Sequence, residues 1–293
     1  MADYGLPYQG SKQGLAHKLM AILPAAENFY DLFGGGFSVT HYFLRHSKKH
    51  KYFHFNEIEP TTVQLIRDAI AGKYSYDVFK PKWITREDFF RDKETCAYTR
   101  IVWSFGNNQQ DYIFGKDIAG WKRSLHQAVV FNEFDAQAVD FLMFKSFPEA
   151  SSIKSRRLFV RKCARINKRL DLEQLERLEQ LERLGQLERL EQLERLHLTS
   201  LSYDQVLIKP NSIIYCDPPY AGTTGYTKAI DHDKFWSWVR SNPSPVFVSE
   251  YTAPPDIKVV AAFRHKKSLS AAGQSDSVEK LFCNAPAFSA LAK

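Results

Sequence analysis

Strand and helix patterns alternate over roughly the first 72 residues, stop, and resume from Ser212. Ser11 to Leu23 reads as a helix, with Ser11 as N-cap and Pro24 as its stop. Asn28 to Phe33 is a short apolar run that ends in Gly34, Gly35 and Gly36, so it reads as a strand entering a glycine turn. Phe37 to His46 supplies the next helix, Lys51 to Ile58 a second strand, and Pro60 opens a helix that runs to about Gly72. Ser212–Cys216, Asp233–Arg240, Pro245–Tyr251, Lys258–Phe263 and Glu279–Cys283 continue as strand, helix, strand, strand, strand. Strands that alternate with helices pair in parallel, which predicts an α/β fold built on one sheet.

The interruption has a different character. Trp83 to about Leu170 is rich in Lys, Arg, aromatics and amides, with no strand–helix rhythm, and reads as an insertion domain. A low-complexity tract follows. From Leu172 the chain repeats LEQLER with one Gly variant, then diverges at LHLTSL, and leucine recurs at every third position to Leu196. Glu, Gln, Arg and Leu favour helix. A period of three drifts by about 60° per step around a 3.6-residue helix, so the leucines form no single stripe. The tract is therefore no heptad coiled coil; a helical insertion and a short β-coil both remain open.

Three motifs carry chemistry. Asp217-Pro218-Pro219-Tyr220 follows directly on the apolar strand Ile213–Cys216, at the strand end where open α/β sheets bind ligands. An exocyclic amine donates two hydrogen bonds. The Asp217 carboxylate can accept one and the Pro218 carbonyl the other, while Tyr220 can stack on the attached base. Asp31-Leu32-Phe33-Gly34-Gly35-Gly36 is a strand-to-glycine turn, and Glu57 comes 21 residues after Gly36 at the end of the next strand. Glycines let backbone approach a nucleotide-like ligand, and an acid about 20 residues on can hold ribose hydroxyls. No Gly-Lys-Ser or Gly-Lys-Thr follows the glycines, which excludes a P-loop. Tyr8-Gln9-Gly10-Ser11-Lys12 places an aromatic and a cation at a helix start, suited to a purine or sulfonium and to a carboxylate.

Taken in this order, the motifs resemble the Dam-like (class alpha) DNA adenine-N6 methyltransferases. Tyr8 to Lys12 is similar to the family's aromatic-x-Gly-x-Lys opening, Asp31 to Ser38 to its cofactor loop, and Asp217 to Tyr220 to its catalytic motif without change. The family's second loop glycine falls on Phe37, and its Asp-Phe pair beside the cofactor adenine is replaced by Ser202-Tyr203, with Asp204 one step later. The resemblance implies a Rossmann-like S-adenosylmethionine-dependent methyltransferase fold with an inserted, mainly helical target-recognition domain. It implies methyl transfer from S-adenosylmethionine to the amine of a flipped adenine in duplex DNA. Cytosine in DNA, a base in RNA, and an inactive nucleic-acid-binding relative are the alternatives. The cofactor-binding expectation covers Tyr8, Gln9, Lys12, Asp31, Phe33, Gly34, Gly35, Gly36, Ser38, Glu57, Ile58, Ser202, Tyr203 and Asp217; the catalytic one covers Asp217, Pro218, Pro219 and Tyr220. The expected parts are 1–82 and 198–293 for catalysis, 83–170 for recognition and 171–197 for the repeat.

A formal net charge of +7 favours a polyanionic partner. Trp103 to Gln110 joins aromatics to four consecutive amides. Asn107, Asn108 and Gln109 suit adenine edges, and the nearby cations Lys116, Lys122 and Arg123 suit phosphates. Between Lys154 and Arg169 lie eight cations and no acid, among them Arg156, Arg157 and Arg161, a density that points to the DNA backbone. The four cysteines, Cys96, Cys163, Cys216 and Cys283, make no CxxC pair, so neither a zinc site nor a disulfide framework is expected, and no metal. No apolar run spans a membrane and Met1 to Gly14 is no signal peptide, which suggests a cytoplasmic protein, bacterial or phage-encoded, monomeric or weakly dimeric.

Overall fold

The computed structural model describes residues 4–75, 79–149, 151–167, 184, 185, 187, 190, 193–220, 230–266 and 276–291. Contacts divide the chain into a helical unit, Met1–Ser11 with Gln64–Leu190, and a sheet unit, Lys12–Val63 with Glu191–Lys293.

The sheet unit contains seven strands: β1 (Asn28–Asp31), β2 (Tyr52–Asn56), β3 (Leu196–Thr199), β4 (Ser212–Cys216), β5 (Val246–Glu250), β6 (Lys258–Lys266) and β7 (Asp276–Cys283). Their spatial order is β3-β2-β1-β4-β5-β7-β6. β3, β2, β1, β4 and β5 are parallel, and β7 runs antiparallel between β5 and β6. This is a Rossmann-like, doubly wound sheet. The chain turns one way after β1 and the other way after β4, so these adjacent strands flank the topological switch point.

Both faces of the central strands are covered, which is why they read as unbroken apolar runs rather than alternations. Phe29 of β1 stacks on Phe43 of α2 (Ser38–His46), ring centroids 4.4 Å apart. The next residue, Tyr30, faces the opposite side, in a cluster with Ile214, Val246 and Val248 and with Phe235 and Val239 of α9 (His232–Ser241). Beyond β7, Asn284 accepts from Val246 N and Ala287 N and donates to the carbonyls of Val239, Asn242 and Ser244. One amide thereby ties β5 to α9 and to α10 (Ala285–Leu291).

Two sequence expectations shift. α1 occupies only Ala16–Ile22, and its N-cap is Leu15 with no side-chain cap, so Ser11 does not cap it. Lys12 to Leu15 instead form a turn in which the Lys12 carbonyl accepts from Leu15 N and Ala16 N. Gly14, a poor helix former, lies in that turn. The leucine repeat, expected over 171–197, falls mostly outside the described residues. Its diverged final unit is not insertion, because Leu196 already starts β3 and pairs with Phe53 of β2. Arg195, just before it, donates to the carbonyls of His50 and Lys51.

Phe37, where a glycine was expected, has φ +70 and ψ 10, the left-handed conformation that glycine adopts freely. The backbone turn survives because the ring is fully buried, edge-on to Phe55 at 5.1 Å. Phe37→Gly relieves strain of about 1–2 kcal/mol but leaves a cavity costing about 3–5 kcal/mol. Urea denaturation is expected to show a net loss of about 1–4 kcal/mol.

The helical unit holds most of α3 (Pro60–Ile70), then α4 (Arg86–Asp92), α5 (Ala97–Val102), α6 (Ala119–Phe131), α7 (Ala136–Leu142) and α8 (Ile153–Asn167). A reciprocal Thr85–Asp88 capping box starts α4, and Asp135 caps α7. Its aromatic centre is Trp103, fully buried, with Trp83 edge-on at 5.2 Å and His126 at 6.3 Å. Trp103 is thus core and no base platform.

Candidate functional site

The acids expected from the motifs meet at the carboxyl ends of the central strands. Asp31 ends β1, Glu57 follows β2 and Asp217 follows β4, with Asp31 paired in register with Tyr215. Asp31 is buried and accepts from Thr40 Oγ1 of α2 at 2.7 Å. Burial pushes its carboxyl up to about 7; the Thr40 bond offsets part of this, and the nearby charges of Asp217 and Glu57 add to it. The glycine turn is closed from the other side: Glu57 Oε2 accepts from Gly35 N at 2.9 Å and its Oε1 from Glu59 N at 3.1 Å. Gly34 stands against the Phe55 ring, and Gly35 has φ +48. Ser38 is buried at the start of α2, and Ile58 is exposed.

Asp217 leads the Asp-Pro-Pro-Tyr segment. Pro218 and Tyr220 are buried, and Pro219 is half-buried. Lys12 Nζ lies 2.9 Å from Asp217 Oδ2, 3.8 Å from Glu279 Oε1 and 4.9 Å from the Tyr220 ring centroid. Asp217 Oδ1 is buried and has no hydrogen-bond partner among the described residues. Burial raises the Asp217 carboxyl to about 6; Lys12 opposes the rise, Glu279 adds to it, and the Tyr220 hydroxyl offsets a little more. Tyr220 packs edge-on to Tyr251, centroids 4.8 Å apart. Asp31, Glu57, Asp217 and Glu279 therefore lie toward this end of the sheet, with the Lys12 ammonium on the last two.

Sequence reasoning missed three parts of this arrangement. Glu279 gave only one faint signal, a single acid in the apolar stretch Val278–Cys283. Thr40 and Phe55 gave none, because each looks like ordinary helix or strand packing.

Other expected residues sit differently from their assigned roles. Lys12 was read as a partner for a ligand carboxylate, yet its ammonium is on the protein's own Asp217. Tyr8 and Gln9 belong to the helical unit and Lys12 to the sheet unit. Tyr203 stacks on Phe33 at 5.4 Å and is packed edge-on by Phe235 and Trp238, so Phe33 and Tyr203 form one aromatic wall. Ser202 Oγ donates to Asp204, whose carboxylate is held below the usual range by the Lys234 ammonium at 2.6 Å and by that hydroxyl.

In the helical unit, an antiparallel bridge between Ser104 and Tyr112 closes a loop carrying the four amides. Asn108 Oδ1 accepts from Gln110 N and Asp111 N, and its amide donates to Asp111 Oδ2. Gln109 Oε1 accepts from Arg100 Nε. Both amides thus shape the loop, and Asn107 and Gln109 hold positive φ, 60 and 62. Lys116 and Arg123 are exposed, whereas Lys122 and Arg157 are each only 5% exposed. Burial pulls the Lys122 ammonium down to about 8. The basic run divides in the same way because α8 turns Arg157 inward. Arg156 is half-buried on Ser151 Oγ and the Val129 carbonyl, and Arg161 is half-buried.

Among the described residues no group of three or more His, Cys, Asp or Glu could hold a metal ion, and no helix is long and apolar enough to cross a membrane. The sequence matches the family described as D12 class N6 adenine-specific DNA methyltransferase over residues 8–237. A search of curated proteins produced no match. Two solved structures of the rRNA methyltransferase AviRa from Streptomyces viridochromogenes are similar at 12% identity. The one at 2.4 Å has TM-score 0.37 and covers 96% of this chain and 87% of its own. The one at 1.5 Å has TM-score 0.36 and covers 97% and 89%. The strand order described above, rather than this distant likeness, carries the fold.

Proposed function

This chain belongs to the D12 class N6 adenine-specific DNA methyltransferase family, and from that membership we propose that it methylates the amine of an adenine flipped out of duplex DNA. The observation that carries the reading is Asp217 Oδ1: a buried acceptor with no hydrogen-bond partner among the described residues, at the switch-point end of the sheet, in the segment that also holds Pro218 and Tyr220.

The donor set fits S-adenosylmethionine. Asp217 and Glu279 face the Lys12 ammonium, and Asp31 and Asp217 are both pushed toward neutrality by burial and by neighbouring carboxylates. A ligand bearing a sulfonium and an ammonium relieves that excess. Glu57 is the acid for the ribose hydroxyls, and Phe33 with Tyr203 is the apolar wall for its base. When bound, the cofactor supplies an electrophilic methyl whose C–S bond breaks onto sulfur, leaving neutral S-adenosylhomocysteine.

The protein's share is positioning and electrostatics. Asp217 accepts one amine hydrogen and the Pro218 carbonyl the other, which turns the nitrogen lone pair toward the methyl group. As the N–C bond forms, the amine sheds one proton, which an Asp217 carboxyl near 6 can take. Tyr220 stacks on the flipped base. Incubation with labelled S-adenosylmethionine and unmethylated DNA, followed by nucleoside analysis, tests this. N6-methyladenine is the expected product; N4-methylcytosine, or label only in RNA, would overturn the substrate.

DNA is gripped by exposed cations of the helical unit. Lys116→Ala and Arg123→Ala are each expected to lower affinity and to reduce the slope of log K against log salt by about 1. Lys122→Met should leave the slope unchanged, because that ammonium is buried. Its depressed pKa also carries a sign. The native state loses this proton near pH 8 while the unfolded state keeps it to about 10.4. Stability contributed by Lys122 therefore rises between those values, and Lys122→Met abolishes the rise in urea titrations.

A further inference from the structure

Two positions that a substrate needs are held by one ammonium. Lys12 Nζ is 2.9 Å from Asp217 Oδ2, the carboxylate that would receive the amine, and lies over the Tyr220 ring on which the base would stack, 4.9 Å from its centroid. Lys12, Asp217 and Glu279 are all largely buried. An arriving base that stacks on Tyr220 must displace the ammonium from over that ring, and a buried ammonium displaced without a new partner is strongly disfavoured. The structure provides one such partner. Glu279 on β7 is buried and presents Oε1 at 3.8 Å from the same nitrogen.

Resting on the adenine reading, we propose that Glu279 is a positioning residue that takes the Lys12 ammonium when the substrate base takes its place over Tyr220 and its amine bonds to Asp217 Oδ1. The ammonium then moves from one carboxylate to the other without entering water, and Asp217 keeps its charge for the amine. Glu279 touches neither substrate nor cofactor in this role; it acts through Lys12.

The groups facing Asp217 are Lys12 from the turn before α1, Glu279 from β7, Tyr220 and Cys216 beside it in the chain, Tyr215 from β4 and Asp31 from β1. Glu279 raises the Asp217 pKa, so removing its charge moves the acid limb of kcat/KM to lower pH. A packing defect alone would not move that limb.

The experiment measures steady-state methylation of duplex DNA by the full chain, as wild type, Glu279→Gln, Lys12→Met and the double variant, across pH. Glu279→Gln is expected to lose about 10- to 100-fold in kcat with KM for DNA within about threefold, and to shift its acid limb downward. The double variant should be no slower than Lys12→Met, since Glu279 has nothing left to act through. It also leaves no unpaired charge at either position, so it remains informative if Glu279→Gln folds poorly. Unchanged kcat in Glu279→Gln, or losses that multiply in the double variant, would overturn the role. Wild-type protein that makes no N6-methyladenine overturns the reading underneath, and does so before any variant is assayed.

Discussion

Asp217→Ala is expected to lower kcat for methyl transfer by at least about 10²–10³-fold, the scale of losing one preorganised electrostatic contact at the reacting atom. DNA affinity should stay within about threefold, because the exposed cations lie in the other unit. Asp217 offers the amine a buried oxygen, Oδ1, that accepts no hydrogen bond among the described residues. The same residue sets a pH dependence. With its carboxyl near 6, kcat/KM falls as pH drops through that value and the acceptor is protonated. Stability runs the other way. A carboxyl whose native pKa is raised, as for Asp217 and for Asp31 near 7, favours folding below about pH 4 and loses that contribution as pH rises to 6–7. Asp217→Asn should therefore melt no lower than wild type at pH 8 while remaining inactive. Inactivity together with early melting would point to a structural residue instead.

Gly34→Ala is the second large effect. A Cβ at this position would stand 2.0 Å from Phe55 Cε2, 2.3 Å from Cδ2 and 2.9 Å from Cζ. The ring cannot swing away, because it is fully buried and abuts Phe37. Overpacking of this kind costs about 1–3 kcal/mol, and the upper end is expected here. The urea midpoint should fall with an unchanged m value. The turn also carries the Gly35 N donor to Glu57, so S-adenosylmethionine affinity should drop about tenfold or more by calorimetry. Gly34→Ala with Phe55→Leu removes the opposing ring atoms and should recover part of both losses. A Gly34→Ala midpoint equal to wild type would mean that the ring does not pack against this turn.

Much of this frame was legible in the chain. Ser212–Cys216 was read as a strand to the residue, and β1, β2, β5 and α2 to within two residues at each end. Such elements are encoded by neighbours a few positions apart, through period, caps and turn residues. The Asp-Pro-Pro-Tyr segment, the glycine turn and Glu57 were found on the same terms, since each is a short motif at a strand end. Phe37 departed from the expected glycine in identity but not in backbone conformation, and a ring buried far from the turn in sequence terms compensates for it.

What failed to be legible depends on residues distant in sequence. Periodicity places Lys12 at a helix start, but only the folded sheet sets it against Asp217 and Glu279. Charge density marks Lys122 and Arg157 as DNA ligands, but helix packing buries both. A repeat of leucines hides the start of β3, whose strand character comes from pairing with β2 and not from its own composition. The sequence by itself determined the strand–helix order, the motifs at the strand ends and the family. Tertiary structure alone decided which charges face each other, because burial and strand pairing bring residues 12, 217 and 279 together and no local pattern records that meeting.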